Sequence, residues 1–401
     1  MRIAIAGAGI GGLAAAALLA DGGHDVALFD QFAAPQPLGS GLVIQPVGQA
    51  VLDVIGAGAT ARANGAALHR MAGHAATTGR PVLDVRYARA GQERAGLAIH
   101  RASLFAALWD GVQARGVPLF ASSRIVGRRD GCLLTAQGPT MPFDLIVDAL
   151  GHRSPLSPLV ARPLPFGAIW GTVDWPVTDL PGDELRQCYR AADRMLGVLP
   201  IGTMPGGDRP QAAIFWSLPA DGHPAWLARG LAAWTAEATA LWPAFAPFAA
   251  QITDPAQMTL ARYSHGTLRR PYGTGIVHIG DAAHRASPQL GQGANMALLD
   301  ALALARALAQ SARPGMVADA LGQYARARRW HVRLYQAFSR AFTPQYQSDS
   351  HLLPVLRDRL LFPLSQTPPL PGMLSDLVAG SLIPPLAGLS PKGGSGMDER
   401  R

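Results

Sequence analysis

The sequence is 401 residues long, and its 35 basic and 27 acidic side chains give a formal charge of +8. Hydrophobic residues make up 49% of the chain and charged residues only 15%, which excludes an intrinsically disordered protein. The two cysteines, Cys132 and Cys188, are too few for a disulfide framework or a four-cysteine zinc site. This length allows one large domain or two to three interleaved domains with an ample core.

The positive charge is scattered along the chain rather than gathered in a block. The densest run, from Arg326 to Arg333 (RARRWHVR), places Arg326, Arg329 and Arg333 on one helix face. This pattern is typical of a solvated helix face, and the alternative is a site for a phosphate, a lipid or an acidic partner. We therefore predict no nucleic-acid partner.

An uncharged stretch of 18 residues, from Ile3 to Ala20, begins the predicted elements. By hydropathy alone it resembles a signal peptide or a membrane span. Its internal order instead favours a buried strand (RIAIA), a glycine turn and a helix (LAAAALLA), which Gly22 and Gly23 end. Asp25 to Asp30 (DVALFD) follows as a second strand that ends in an acid. This order predicts a dinucleotide-binding unit without a membrane span.

The turn between these two strands carries the motif GAGIGG. We expect Gly7 to permit the tight turn, Gly9 to let a pyrophosphate approach the backbone and Gly12 to let helix and strand pack closely. The helix N-terminus offers free N–H groups to the phosphates, and Asp30 is placed to bind a ribose diol. The motif does not distinguish NAD from FAD. The residues predicted to contact the cofactor here are Gly7, Gly9, Ile10, Gly11, Gly12 and Asp30.

A second glycine-rich motif lies more than 260 residues further along the chain. Gly275 to Gly280 (GIVHIG) predicts a buried strand, followed by Asp281, whose carboxylate can bind sugar-like hydroxyls. Pro288 to Asn295 (PQLGQGAN) predicts a turn that opens a helix from about Met296 to Gln310 and presents N–H groups to an electron-rich group. Two motifs this far apart in the sequence fit a long cofactor that has one end at each motif. The fold must then bring the two motifs together.

GAGIGG with Asp30, and GDAAHRASPQLGQGANMALLDA from residue 280, resemble the class A FAD-dependent monooxygenases, the para-hydroxybenzoate hydroxylase-like group. The resemblance extends to about Phe342. It implies that Asp281 binds the ribityl chain of FAD and that Pro288 lies at the isoalloxazine. The following helix would stabilise negative charge on the reduced flavin. The loop residues that would hold the pyrimidine edge through their backbone are Gly291, Gly293, Ala294 and Asn295.

Two shorter segments bear on the same resemblance. Ile99 to Leu104 (IHRASL) is similar to the family's I-x-R-x-x-L segment, which implies an FAD contact for Arg101; the alternative is a surface arginine at a helix start. The family's D-x-x-x-G-A-D-G-x-x-S pattern is altered here, since Leu150 occupies the position of the second acid and Asp148 replaces a glycine. NADPH or NADH would therefore bind transiently at the flavin face, or another reductant would serve.

The resemblance and the element pattern together predict an α/β fold. A Rossmann-like (GR2-type) FAD-binding domain is interleaved with a smaller α+β substrate domain on a mostly antiparallel sheet, and a C-terminal helical segment follows. We assign residues 1–70, 96–164 and 261–320 to the FAD-binding domain and 71–95 and 165–260 to the substrate domain. Residues 321–390 form the Pro-rich helical segment, which packs over the core or closes the substrate entrance. Residues 391–401 are predicted to be disordered.

The middle of the chain supplies the candidate substrate contacts. The segments 166–175, 195–201 and 211–218 predict strands, and Pro224 to Trp242 predicts an amphipathic helix. Trp216 is the candidate wall of an apolar cavity over the flavin, and ordinary core packing is its alternative. Tyr189 is a candidate hydrogen-bond donor to a phenol or carbonyl, or else a packing residue. His284 could poise a proton, or it could make a structural hydrogen bond.

The predicted function is an FAD-dependent monooxygenase of the hydroxylase or epoxidase type. The resemblance implies that NAD(P)H reduces FAD and that O2 then forms a flavin C4a-hydroperoxide, which oxygenates an apolar, aromatic or polycyclic small molecule. The alternatives are an FAD-dependent dehydrogenase or reductase without oxygen insertion and a non-catalytic flavin-binding protein. The candidate catalytic residues are Pro288, Trp216, Tyr189 and His284. We predict no metal site and a cytoplasmic protein, and the sequence does not specify the oligomeric state.

Overall fold

The computed structural model describes residues 1–33, 39–89, 91–310 and 317–389. The predicted disordered tail, 391–401, lies outside these described residues. Within them the strands, in chain order, are β1 (Arg2–Ala6), β2 (Asp25–Phe29), β3 (Gly41–Ile44), β4 (Ala66–Leu68), β5 (Arg70–Ala75), β6 (Pro81–Arg86), β7 (Gly96–His100), β8 (Leu119–Phe120), β9 (Ile125–Arg129), β10 (Cys132–Thr135), β11 (Gly138–Pro139), β12 (Leu145–Asp148), β13 (Arg162–Asp174), β14 (Glu184–Arg190), β15 (Arg194–Thr203), β16 (Pro210–Pro219), β17 (Thr259–Thr267), β18 (Tyr272–Gly273), β19 (Ile276–His278) and β20 (His284–Arg285).

The helices of the same ranges surround these strands. They are α1 (Ile10–Asp21), α2 (Pro46–Ile55), α3 (Gly58–Asn64), α4 (Arg101–Gln113), α5 (His223–Leu241), α6 (Ala246–Ala249), α7 (Gly293–Gln310), α8 (Val317–Tyr346), α9 (Leu352–Leu356), α10 (Phe362–Ser365) and α11 (Leu370–Ala379). A π-helical turn, Arg357–Leu361, joins α9 to α10. Short 3-10 turns occur at Gly151–Arg153, Gly280–Ala282 and Pro288–Leu290, among other places.

The first sheet has six strands in the order β18-β19-β12-β1-β2-β8. All neighbours are parallel except β18 and β19. The strands β1 and β12 are short apolar runs that this sheet buries on both faces, as parallel sheets require. The helices α1 and α7 pack on each other beside it and contribute to the largest core cluster. The strand, glycine turn, helix and strand predicted at the N-terminus are confirmed.

The second large sheet has eight strands in the order β20-β17-β13-β16-β15-β14-β5-β6. Its neighbours are antiparallel except β14 and β5. The three strands predicted in the middle of the chain are confirmed as β13, β15 and β16. The predicted helix is confirmed as α5, although Gly230 interrupts it with a non-helical backbone. The mixed α/β character of the chain is therefore as predicted.

The two faces of the eight-stranded sheet have different neighbours, because successive side chains of a strand point to opposite sides. The outer face carries Ile169, Ile214 and Trp216, which pack with α5. The inner face carries Trp170, Ala213 and Phe215. A β-carbon at Gly41 would lie 3.0 Å from the Cβ of Ala213, so β3 approaches the inner face closely. The inner face is thus turned toward the small sheet β3-β7-β4, whose other side packs into the core of the six-stranded sheet.

The C-terminal helices cover the space between the two sheets. Buried side chains of α8 pack with α7 and α11, while Arg326, Arg329 and Arg333 are exposed, as the solvated helix face requires. The guanidinium groups of Arg329 and Arg333 lie 5.4 and 5.3 Å from the ring centre of Trp330. Among the described residues, no helix is both long and apolar enough to cross a membrane.

Candidate active site

The GAGIGG turn follows β1 and opens α1, and its glycines have different surroundings. Gly7 has a φ of +104°, and a β-carbon there would lie 2.6 Å from the carbonyl oxygen of Ala149. A β-carbon at Gly12 would overlap the carbonyl oxygen of Gly7. Gly9 is exposed, and a β-carbon there would meet no atom within 4 Å. The turn therefore leaves its free space at Gly9, where a phosphate group can reach the backbone.

Asp30 follows β2 and lies against the same turn. Its carboxylate accepts hydrogen bonds from the Ala8 N–H at 2.7 Å and from the Phe32 N–H at 3.0 Å. Each carboxylate oxygen retains a lone pair, because a carboxylate has about four acceptor sites. The side chain is partly accessible, so it can accept further hydrogen bonds from a sugar at the end of β2.

Arg101 and Asp281 lie near each other, although 180 residues separate them in the chain. Arg101 is the first residue of α4, and Asp281 lies in the turn after β19. Both side chains are exposed. Protein atoms nevertheless surround the Arg101 guanidinium, so that desolvation lowers its pKa while the charge of Asp281 opposes this change. Side chains that are accessible to solvent and yet surrounded by protein atoms indicate a cleft. Arg101 and Asp281 lie along this cleft.

The loop before α7 is held by the side chain of Asn295. Its Oδ1 accepts from the Gln45 N–H at 2.8 Å, and its Nδ2 donates to the carbonyl oxygens of Val43 at 3.2 Å and Gly291 at 2.9 Å. Asn295 is fully buried, and its side chain ties the loop to the segment from Val43 to Gln45. Gly291 has a φ of +60°, which turns the chain from Pro288–Leu290 into the helix. The first N–H groups of α7 lack intrahelical acceptors, as at any helix start.

His284 is bound to a buried carboxylate. Its Nε2 lies 2.7 Å from Oδ2 of Asp300, which also accepts from the Gly280 N–H at 2.9 Å. The other carboxylate oxygen accepts from Nε of Arg328 at 2.8 Å. Burial would raise the pKa of Asp300, but His284 and Arg328 outweigh it and lower the pKa to about 2. The geometry supports the structural alternative for His284.

In the altered segment from Asp144 to Ser154, the turn is held by hydrogen bonds of Asp148. Asp148 is fully buried and lies 2.7 Å from Nδ1 of His278, and its Oδ1 accepts from the Ser154 hydroxyl at 2.8 Å. Leu150, at the position of the family's acid, packs into an apolar cluster. His152 is exposed beside this turn; burial lowers its pKa, and the charge of Asp281 opposes that. His152 therefore faces the cofactor cleft from the side of this turn.

Trp216 does not line the cleft, and that prediction is wrong. Its side chain is 2% exposed, and its ring packs against Trp234 at 6.3 Å between centroids, on the outer face of the sheet. Tyr189 lies on the inner face but is fully buried behind Tyr346, at 5.2 Å between ring centroids. Its hydroxyl has no hydrogen-bond partner among the described residues. This geometry supports the packing alternative for Tyr189.

Aromatic side chains that keep accessible surface lie between the inner face and α8, and we call the space that they border the chamber. Trp170 donates to the hydroxyl of Tyr263 at 2.9 Å and contacts Phe215 at 4.6 Å between centroids. Burial raises the pKa of Tyr263 and of Tyr346 to about 12, yet both keep accessible surface. Accessible surface on groups surrounded by protein indicates an internal cavity.

The neighbours of the chamber connect it to the loop before α7. Leu374 of α11 packs both against the cluster that Trp170 joins and against the cluster of Leu290, Phe338 and Phe342. Leu290 belongs to the turn that begins at Pro288, and Pro288 itself is exposed. Sequence reasoning missed Trp170, Tyr263 and Tyr346. Alternation along β13 and β16 would have separated Trp216 from the inner-face residues, but it does not say which face meets the cofactor.

The cleft has the groups that FAD needs. Its free space at Gly9 suits a pyrophosphate, the acids at 30 and 281 suit the ribose and ribityl hydroxyls, and the N-terminus of α7 suits an electron-rich ring edge. Arg101 adds one positive charge beside Asp281. The apolar chamber adjoins the far end of this cleft. The residues present therefore fit FAD.

Comparison with known proteins agrees with this geometry. The sequence matches the FAD-binding domain family over residues 1–131 and 231–339, more than half of the chain. It is 29% identical over 347 residues to 3-amino-4-hydroxybenzoate 2-monooxygenase of Streptomyces cremeus, covering 81% of this chain and 82% of that protein. It is 27% identical to 6-methylpretetramide 4-monooxygenase of Streptomyces rimosus, over 78% of this chain and 76% of that protein.

Solved structures share the fold. The tetrameric form of 2-methyl-3-hydroxypyridine-5-carboxylic acid oxygenase superposes with a TM-score of 0.76 at 21% identity, over 94% of this chain and 95% of that one. An HpxO variant from Klebsiella pneumoniae complexed with FAD gives a TM-score of 0.76 at 21% identity, over 95% and 100%. Together with the sequence match, this places the chain in the FAD-binding domain family, among the class A FAD-dependent monooxygenases.

Proposed function

We propose that this monooxygenase adds one oxygen atom of O2 to an aromatic ring of a small apolar substrate bound in the chamber. The observation that carries the proposal is that Trp170, Tyr263 and Tyr346 keep accessible surface in the cluster that Leu374 connects to the loop after Pro288. Bound FAD supplies the redox chemistry and activates O2. The chain contributes apolar walls that exclude water and orient a flat substrate toward the loop.

The cofactor contacts are part of this proposal. Gly7, Gly9, Ile10, Gly11 and Gly12 contact the pyrophosphate end through the backbone. Asp30 binds the ribose, Asp281 binds the ribityl chain, and Arg101 contacts the cofactor between them. Pro288 and the backbone of Gly291, Gly293, Ala294 and Asn295 lie along the flavin. Positive potential from the N-terminus of α7 then stabilises the reduced flavin.

The domain organisation is also proposed. Residues 1–70, 96–164 and 261–320 form the FAD-binding domain, and 71–95 and 165–260 form the substrate domain. The pairing of β17 with β13 favours moving the boundary at 260 to Thr267, since the whole of β17 joins the eight-stranded sheet. The helix α8 begins at Val317, which favours starting the C-terminal segment there instead of at 321.

NADPH or NADH is the proposed reductant, and it binds transiently. The acid that the family uses near the nicotinamide is Leu150 in this chain. Arg153 is exposed at the same turn, next to the cleft, and supplies a positive charge that a nucleotide phosphate can meet, and His152 is exposed beside it. We therefore assign them to the reductant rather than to FAD.

Anaerobic mixing of the FAD-loaded enzyme with NADPH or NADH tests the proposal. We expect the oxidised-flavin absorption at about 450 nm to bleach, and to bleach faster when an aromatic substrate fills the chamber. The compounds named in the two Streptomyces relatives, 3-amino-4-hydroxybenzoate and 6-methylpretetramide, are the first to test. Admitting 18O-labelled O2 should then place one labelled atom in the product.

Two results would contradict parts of this proposal separately. If neither nucleotide bleaches the flavin while dithionite does, the assigned reductant is wrong. If substrate is oxidised without incorporating the label, the enzyme dehydrogenates and does not insert oxygen. The outer-face variant Trp216→Phe serves as a control that should leave the effect of substrate on bleaching unchanged.

A further inference from the structure

A chain of buried polar side chains ties the residue before Pro288 to the last turns of α8. The hydroxyl of Ser287 lies 3.0 Å from that of Ser339 and within hydrogen-bond distance of that of Thr343. The hydroxyl of Ser339 also lies 3.1 Å from Nε2 of His265, which belongs to β17. All four side chains are buried. We call these four residues the hydroxyl chain.

The hydrogen bonds of the hydroxyl chain run in one direction, because each hydroxyl has a single proton to donate. The hydroxyl of Thr343 donates to the carbonyl oxygen of Ser339 at 2.6 Å, so it accepts from Ser287. Ser287 then has no proton left for Ser339. The hydroxyl of Ser339 therefore donates to Ser287 and accepts from the Nε2–H of His265. Every hydroxyl proton is used within the chain, and this order fixes the tautomer of His265.

A small cavity lies next to the hydroxyl chain, between α8 and the loop before α7. Ser287 and Gly293 line it on the side of the loop, and Val332, Gln336 and Ser339 line it on the side of α8. Its volume is about 40 Å³, which holds about three water molecules at about 10–15 Å³ each. Part of the loop therefore faces a gap instead of packing against the helix.

Two buried glutamines make this cavity polar. The Nε2 groups of Gln292 and Gln336 donate to the carbonyl oxygens of Val378 and Arg285, each at 2.9 Å. Their Oε1 atoms have no hydrogen-bond partner among the described residues, and both side chains line the cavity. Water can satisfy these acceptors, since polar cavities of this size are hydrated. The hydroxyl chain is thus a direct link beside a gap that water can fill.

We propose that the hydroxyl chain positions the loop before α7 against the flavin, with Ser287 as the positioning residue. This inference rests on the proposed function, in which Pro288 and the backbone of that loop lie along the flavin. Ser287 transmits its position to Pro288, because proline restricts both its own backbone and that of the residue before it. The free N–H groups at the start of α7 favour the negative charge of the reduced flavin, and this effect decreases steeply with distance. Loosening the chain should therefore weaken the binding of reduced FAD more than that of oxidised FAD.

The reduction potential of the bound flavin tests the proposal without any turnover. Thr343→Val keeps the shape of the side chain and removes the hydroxyl that accepts from Ser287. We expect the affinity for reduced FAD to fall about fivefold to tenfold relative to that for oxidised FAD, as the loss of one hydrogen bond allows. This change lowers the two-electron potential by about 20–30 mV. Ser287→Ala should have the same effect, whereas Thr343→Ser keeps the hydroxyl and should retain the wild-type potential.

Ser217→Ala is the matched control, because Ser217 is fully buried and accepts from the Met195 N–H at 2.7 Å within the eight-stranded sheet. It should lose stability as the chain variants do and keep the wild-type potential. Wild-type potentials in both Thr343→Val and Ser287→Ala overturn the proposal, and so does an equal shift in the control. A wild type that incorporates no labelled oxygen contradicts the proposed function alone, because the potential is measured without substrate.

The order of the protons can be measured separately by NMR of the enzyme labelled with 15N-histidine. Burial and the charge of Arg340 lower the pKa of His265, so its ring is neutral at pH 7. We expect its proton on Nε2, with the signals assigned by their loss in His265→Gln. A proton on Nδ1 instead would reverse the order of donors and overturn the hydroxyl chain as the link to the loop.

Discussion

Three glycines of one turn are constrained by different neighbours, although the sequence presents them as one motif. Gly7 and Gly12 are limited by the protein itself, since a β-carbon at either position meets backbone atoms of the turn or of the segment at Ala149. Gly9 has an extended backbone with a φ of −76° and open space around it. An alanine is therefore acceptable to the protein at Gly9, and only a cofactor would oppose it.

This contrast predicts opposite effects for two similar substitutions. Gly12→Ala should lower the free energy of unfolding by about 1–3 kcal/mol or more, with or without FAD, because its β-carbon meets a backbone carbonyl. Gly9→Ala should leave the stability of the FAD-free protein unchanged and weaken FAD affinity by about tenfold or more, a loss of about 1.4 kcal/mol. Urea unfolding and flavin fluorescence titration measure the two effects.

Gly182→Ala is the control, because a β-carbon there meets nothing within 4 Å and the residue lies outside the cleft. It should change neither quantity. If Gly9→Ala binds FAD as tightly as the wild type does, the phosphates do not approach the backbone at this turn.

The sequence predicted the positions of those candidate residues whose placement depends on local spacing. The GAGIGG turn, Asp30 after β2 and Asp281 after β19 all lie within a few residues of the element that positions them. The roles of His284 and Asn295 depended instead on distant partners. Asn295 is held by Gln45, which is 250 residues away. His284 is bound to the carboxylate of Asp300, which also binds Arg328 of the next helix. No local pattern reveals such pairs.

At the scale of the element, the alternation of side chains along a strand determines which residues can face the substrate. Phe215 and Trp216 are neighbours in β16 and necessarily point to opposite sides. The sequence left both cavity wall and core packing open for Trp216, because the strand pattern does not show which side of the sheet α5 covers. Packing of α5 on the face of Ile169, Ile214 and Trp216 leaves Trp170 and Phe215 for the chamber.

Substitutions on the two faces should therefore separate stability from substrate binding. Trp216→Ala should cost about 3–5 kcal/mol of unfolding free energy, because it empties a packed core position, and should leave the KM of the folded enzyme unchanged. Trp170→Phe removes one hydrogen bond to Tyr263 and should cost only about 1 kcal/mol, while changing KM through the shape of the chamber. Denaturant melts and steady-state kinetics distinguish the two. A KM change confined to the Trp216 variant would reverse the assignment of the faces.

At the scale of the whole molecule, one buried network joins the cofactor motif to the C-terminal segment. Asp300 of α7 binds the backbone at Gly280 and the side chain of Arg328. Arg328 continues to the carbonyl oxygen of Pro385 at 2.7 Å, and His331 reaches that of Gly380 at 2.9 Å. The Pro-rich segment was predicted to pack over the core. These hydrogen bonds attach it to α8 at Gly380 and Pro385.

Asp300 should give this network a distinct dependence on pH. Its pKa in the folded protein, about 2, is below the ordinary value of 3.8, so the fold favours the charged carboxylate. The resulting stabilisation is complete above about pH 4 and is lost as the pH falls toward 2. At pH 7, Asp300→Asn should lower the unfolding free energy by about 3–5 kcal/mol, because it leaves Arg328 buried without its carboxylate.

The difference between the wild type and this variant is the informative quantity. Burial lowers the pKa of His331 to about 3, so both proteins lose stability as the pH falls from about 6.5 toward 3, and that shared loss cancels in the difference. Urea unfolding of both proteins from pH 7 to about pH 2 should show a constant gap that narrows only below about pH 4. Asp319→Asn, at an exposed carboxylate of α8, should show no gap. A gap that closes already between pH 6 and 5 would mean that a histidine, and not Asp300, controls the attachment.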